Sequence, residues 1–323
     1  MDGSPIDNLS KHRLVVVTGK GGVGKTVVAA ALARAIAERR KKVLLLEVDP
    51  RESVHRLLNV PPSGGGVVDV GAGLCLQNLR PRQALDEMIS RQLTVGLVAR
   101  RVLKSEIYHQ LAEGGPGLKE LGLLRYAADR SEKRGADRRG PFDTVVLDAP
   151  ATGHGVSLLA APRLVSEVVE QGPVGREAAR LASFVSDPAK VAVVVVTLAE
   201  EMPVQEALEL REMLARRLGR QPDLLVVNGL YPPLEGRLAP TGVEGDDIAL
   251  DLWRRRRSAN EAELARLSAA WQGPRVDFPL LAESRGFDLV AALRQRLDGP
   301  FYDGGSPDTT RDGAQPKAGW SFS

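Results

Sequence analysis

Residues 19–26 read Gly-Lys-Gly-Gly-Val-Gly-Lys-Thr, and their setting restricts the fold more than any other segment of the chain. Before them, Leu14-Val15-Val16-Val17-Thr18 is an unalternating, β-branched run, the form of a strand buried on both faces of a parallel sheet. After them, Val27 to Arg40 is alanine-rich and free of Gly and Pro. It closes in Arg39-Arg40-Lys41-Lys42, cations that suit a helix C-terminus. Strand, glycine loop and helix in that order satisfy the phosphate-loop pattern G-x-x-x-x-G-K-[ST]. Gly19, Gly21, Gly22 and Gly24 let the backbone N–H groups around Lys20 and Val23 turn toward an anionic phosphate chain. Lys25 is expected to reach the β- and γ-phosphates of ATP, Thr26 to face Mg2+, and Val27 to complete the nucleotide-contacting run. Lys20 has no such task within its own loop.

The rest of the chain repeats the βα order with one interruption. Val43 to Val48 is a second apolar run that ends at Asp49-Pro50, and Leu74 to Leu79 a short third one. From Pro81 to Arg130 the pattern is helical, broken by Gly114-Gly115-Pro116-Gly117, and is read as an inserted subdomain, with a pair of crossover helices as the alternative. Strands are expected again at Thr144 to Asp148, Val191 to Thr197, Leu224 to Val227 and Val276 to Phe278. Helices are expected at Val204 to Leu218, Ile248 to Trp271 and Phe287 to Leu297. The expected fold is therefore α/β, a mostly parallel doubly wound P-loop NTPase sheet flanked by helices with a small helical subdomain inserted. The domain should cover 13–298, with 1–12 as an N-terminal segment, helical insertions at 81–130 and 162–190, and 299–323 as a disordered Gly, Pro, Asp and Ser tail.

Carboxylates at the C-terminal ends of parallel strands face the ligand in such folds. Asp148, after Val145-Val146-Leu147, would hold Mg2+ directly or through its water. Asp49 would position or deprotonate the water that attacks the γ-phosphate. The run Asp148-Ala149-Pro150-Ala151-Thr152-Gly153-His154 resembles the switch II signature of the ArsA and guided-entry ATPase family, with Pro150 shifted by one place and Asp148, Thr152, Gly153 and His154 in register. Asp49-Pro50 is similar to the family's switch I pair, Pro116-Gly117-Leu118-Lys119-Glu120 to its P-G-x-x-E element, and Glu200 to a glutamate near the nucleotide. Asn228 matches an asparagine that reads adenine, and Phe278-Pro279 the loop that closes over the base. Within this resemblance Lys20 matches the extra lysine of deviant Walker A loops, which crosses a dimer interface toward the partner's nucleotide. The resemblance implies an ATP-hydrolysing switch working as a homodimer or as a heterodimer with a related chain, with catalysis by Asp49, Lys20 and Lys25. The alternative is a carrier of hydrophobic, tail-anchored clients.

Absences narrow the choice. Cys75 is the single cysteine, so the chain supplies neither the thiolates an As(III) site wants, nor a Cys-x-x-Cys zinc clasp, nor ligands for an iron–sulfur cluster. Met88 is the only methionine between residues 81 and 190, a poor composition for a client-sheathing groove. The apolar stretch Leu93 to Leu111 reads as core packing, with a small apolar groove as the alternative. Basic and acidic side chains differ by three, which gives no warrant for a nucleic-acid partner, and Arg254 to Arg257 point around a helix in different directions. A ParA/MinD-type positioning ATPase would share the loop, but the Thr-Gly-His signature argues against it. Met1 to Lys11 has no apolar h-region and no stretch approaches ~18 uncharged apolar residues, so no signal peptide and no direct membrane insertion are expected and the expected location is the cytoplasm.

Overall fold

The unalternating apolar runs become the middle of one eight-stranded sheet. The computed structural model describes residues 4–49, 51–92, 115, 117–132, 141–150, 155–169, 171–234, 244–281 and 286–299. In chain order the strands are β1 (Leu14–Gly19), β2 (Val43–Glu47), β3 (Val68–Gly71), β4 (Leu74–Asn78), β5 (Thr144–Asp148), β6 (Val191–Leu198), β7 (Leu224–Leu230) and β8 (Arg275–Pro279). Across the sheet they stand β3-β4-β2-β5-β1-β6-β7-β8, and every neighbouring pair is parallel except β3 with β4. All of β2 and β5 and nearly all of β1 and β6 are buried, as strands covered by helices on both faces must be.

The described helices are α1 (Pro5–Leu9), α2 (Lys25–Ala37), α3 (Val54–Leu58), α4 (Pro81–Gln92), α5 (Leu118–Ser131), α6 (Gly155–Val168), α7 (Gly172–Ser186), α8 (Glu201–Leu218), α9 (Glu244–Ala270) and α10 (Gly286–Arg296). They divide between the two faces according to the pleat of the strands. Val15 and Val17 of β1 join the apolar layer built from Ile6, Leu32, Val54 and Val290, under α1, α2, α3 and α10. Leu14 and Val16 join the opposite layer with Leu85, Leu124, Leu159, Leu181, Leu214 and Leu267 from α4 to α9. This is a doubly wound α/β sheet, as the sequence pattern implied. Among the described residues no helix is long and apolar enough to cross a membrane.

Several boundaries differ from the sequence reading. The helix after β1 spans Lys25–Ala37 rather than 27–40, because Gly24 makes the turn at φ 89° and Arg40, at φ 58°, turns the chain back toward β2. The N-terminal segment is built into the core. Ser4 Oγ accepts from the Ile6 N–H at 3.3 Å to start α1, and Ile6 and Leu9 are fully buried. β3, a half-exposed edge strand, and the five-residue α3 had no readable period. The helices covering 162–190 begin earlier, with Pro162 inside α6. α4 and α5, the described ends of the stretch read as a subdomain, pack directly into the layer over β1, β2 and β5. The residues between them, 93–114, and the tail from 300 lie outside the described residues.

α4 and α5 touch at Gly122, where an added Cβ would stand 2.8 Å from the Leu85 backbone N and Cα. Backbone cannot withdraw as a side chain can. Gly122→Ala should therefore destabilise the protein by about 1–3 kcal/mol, an overpacking cost, measured by denaturant unfolding.

Candidate functional site

The parallel strands all point the same way, so the loops after β1, β2, β5, β6 and β7 leave one edge of the sheet. There Gly24 caps α2 in the left-handed region without a side-chain bond, leaving the first-turn N–H groups turned toward the loop and available to an anion. An added Cβ at Gly24 would lie 2.3 Å from Asn228 Nδ2, and that amide donates to the Val23 carbonyl at 2.9 Å. Asn228, within β7, thus braces the glycine loop. Lys25 is buried, and its Nζ donates to the Lys20 carbonyl at 2.8 Å, curling back over the loop. Burial lowers the pKa of its ammonium, and the Asp148 charge opposes that shift.

Thr26 Oγ1 donates to Asp148 Oδ2 at 2.7 Å, joining the start of α2 to the end of β5. The other oxygen, Oδ1, is buried without a hydrogen-bond partner. Burial pushes the Asp148 carboxyl up to about 6; the Thr26 bond and Lys25 hold it down, while Glu47 and Asp49 add to the rise. An orphaned carboxylate oxygen beside a threonine hydroxyl, in a field made negative by two further carboxylates, fits a hard divalent cation. Among the described residues no group of three or more His, Cys, Asp or Glu forms a metal cage. Mg2+ needs none, since one or two protein oxygens suffice beside phosphate and water.

Asp49 stands half-buried after β2. Its Oδ1 accepts from the Arg51 N–H at 2.8 Å and its carbonyl from Asn78 Nδ2 at 2.6 Å. Lys20 Nζ lies 2.7 Å from Glu206 Oε1 on α8, with each side chain about a third exposed at 34% and 36%. The two line a cleft of about 230 Å³ with Gly19, Val196 and Pro203. Gly21 and Gly22 are exposed, while Val27 is half-buried against the α1–α2 layer.

Other expected site residues are placed apart from this group. Glu200 precedes α8 and sits 3.7 Å from Arg256 Nη1. Phe278 is fully buried in the core, with no surface free to close over a base in this state, and Pro279 ends β8 half-exposed. Thr152, Gly153 and His154 lie outside the described residues. Three residues that converge on the site were not read from sequence. Glu47 was legible as the single charge in the apolar run of β2, and Asn78 as a polar strand end. Glu206 gives no local signal, because its pairing with Lys20 is purely tertiary.

Residues 12–175, half of the chain, match the anion-transporting ATPase family, ArsA. The chain belongs to that family. Relatives of this ArsA-family chain include the ATPase BagA of Mycobacterium tuberculosis H37Rv, 31% identical over 219 residues, covering 64% of this chain and 62% of the relative. An arsenical pump-driving ATPase of Acidiphilium multivorum is 27% identical over 260 residues, 75% of this chain and 42% of that protein. The ATPase GET3 of Kluyveromyces lactis is 28% identical over 178 residues, covering 50% and 48%. The chain thus spans between 42% and 62% of the length of these relatives. The family match covers the glycine loop, Asp49 and Asp148 together.

The orphaned Asp148 oxygen has a measurable consequence. Without a cation, an ionised carboxylate is buried beside Glu47 and Asp49, which costs stability. Asp148→Asn keeps an acceptor for Thr26 and removes the charge. It should raise the melting temperature of the nucleotide-free, metal-free protein by about 2 °C or more, as followed by circular dichroism.

Proposed function

We propose that this ArsA-family chain is a Mg2+-dependent ATPase, converting ATP and water to ADP and phosphate, and that two chains act together as a switch. The observation that carries this reading is the convergence of the glycine loop, Lys25, Thr26 and the orphaned Asp148 carboxylate at the carboxyl edge of the sheet. The loop N–H groups and Lys25 bind the phosphates, with Lys25 exchanging the Lys20 carbonyl for a phosphate oxygen. Thr26 and Asp148 would hold Mg2+, which neutralises charge on the phosphate oxygens. Asp49 orients the attacking water or takes its proton, a role its place at the β2 end suits.

Lys20 supplies the two-chain part of the proposal. In the single chain it is engaged by Glu206, so closure on a second chain requires it to leave that partner for phosphate charge across the interface. The partner is an identical or a related chain. A hydrophobic-client role would draw on residues 93–111, outside the described residues, and it stays an expectation of the sequence. Proposed nucleotide contacts from Glu200, Asn228, Phe278 and Pro279 would need rearrangement on binding, since Asn228 is committed to the loop and Phe278 to the core.

Phosphate release measured against protein concentration tests this reading. Lys25→Ala and Asp49→Asn should each lower kcat by about 100-fold or more. Lys20→Ala should lower kcat while leaving ATP affinity of the single chain within about threefold. Glu206→Gln, by freeing Lys20, should shift activation to lower protein concentration. A wild-type protein without Mg2+-dependent turnover at any concentration, alone or with a related chain, would contradict the proposal.

A further inference from the structure

Asn78, Glu47 and Asp148 are the last residues of three adjacent strands, β4, β2 and β5, and stand side by side in register. Asp148 is a proposed cation ligand; Glu47 adds negative charge beside it, and neither Glu47 nor Asn78 is assigned as a ligand there. Both are buried, Glu47 at 1% and Asn78 at 3% exposure. A carboxylate so placed is costly unless its bonds are filled, and here it also faces the repulsion of Asp148. What Glu47 does is specific. Its Oε1 accepts from the Ser53 N–H at 2.6 Å, the Ser53 hydroxyl at 2.9 Å and the Val54 N–H at 3.1 Å, gripping the segment where it enters α3. Asn78 takes the other end, donating from Nδ2 to the Asp49 carbonyl at 2.6 Å, while its own N–H is fixed by Ser63 Oγ at 2.8 Å.

The segment after β2 is thus tied down twice, at Asp49 and at Ser53, by side chains rooted in the rigid strand ends next to Asp148. We propose that Glu47 and Asn78 are positioning residues that hold Asp49 in place relative to the nucleotide edge. The proposal rests on the reading of Asp49 as the group that orients or deprotonates the attacking water. A reacting group misplaced by about 1 Å costs rates of order 100-fold without a matching loss of binding. The requirement at Glu47 is an acceptor oxygen at that point, which a glutamine also provides.

The test compares wild type, Glu47→Ala, Glu47→Gln, Asn78→Ala and Asp49→Asn as full chains. Phosphate release gives kcat, a fluorescent ATP analogue gives affinity, and melting temperature reports folding. Expected are kcat losses of about 10-fold or more for Glu47→Ala and Asn78→Ala, analogue affinity within about threefold, and Glu47→Gln within about threefold of wild-type kcat. Asn78→Ala decides alone if Glu47→Ala does not fold. The inference is overturned if the alanine variants keep kcat within about twofold, if affinity falls in step with kcat, or if Glu47→Gln is as impaired as Glu47→Ala. Asp49→Asn separates the two readings. An inactive Asp49→Asn beside active Glu47 and Asn78 variants sinks only the positioning role, whereas an active Asp49→Asn sinks the assignment of Asp49 beneath it.

Discussion

The hydrogen bond from Thr26 to Asp148 is the point on which the site depends, because it fixes the first turn of α2 against the end of a strand that follows far later in the chain. It exists because β1 and β5 are parallel neighbours in register, Val17 beside Asp148, so the loop after β1 and the end of β5 reach the same height. The loop itself can turn there only because Gly24 accepts a left-handed conformation and leaves room for Asn228. Sheet order, glycine placement and one side-chain bond together bring a lysine, a hydroxyl and a carboxylate to one edge. In a differently ordered sheet Asp148 would not stand beside Lys25 and Thr26.

That arrangement concentrates negative charge. Glu47 and Asp49 raise the carboxyl of Asp148, and the nucleotide-free chain holds this repulsion in a buried place. Such a cluster makes physical sense where a cation and the backbone donors of the phosphate loop are to share the space. The same strand ends that crowd the carboxylates also fasten the Asp49 segment, so the proposed cation site and the proposed positioning of Asp49 share one row of residues, Asn78, Glu47 and Asp148.

Much of this was legible in sequence, and the reasons differ by element. The glycine loop and the aspartates at 49 and 148 are local patterns: each follows a short unalternating apolar run, the form of a buried strand, and the turn residues mark where it stops. The central strands were readable for the same cause. α2 starts two residues before the expected Val27 because Lys25 and Thr26 carry loop chemistry and also form the first helical turn. Short α1 and edge β3 carry too few residues for a period to show, and their place is set by what they pack on. Phe278 was expected at the base-binding loop, yet its side chain falls on the inward side of β8, where an aromatic ring is worth more as core. Glu206 was invisible, since nothing near residue 206 announces that Lys20 will be its partner.

Lys20 is where fold and proposed function meet. Its ion pair with Glu206, each side chain about a third exposed, is worth little on its own, which suits a contact that has to be exchanged. The most direct measurement is a structure of the protein with ADP, Mg2+ and aluminium fluoride, together with its mass in solution. The account predicts a pair of chains with the metal on Thr26 and Asp148 and each Lys20 released from Glu206 onto the partner's phosphate mimic. A single chain, fully loaded with nucleotide and with Lys20 still on Glu206, would contradict it.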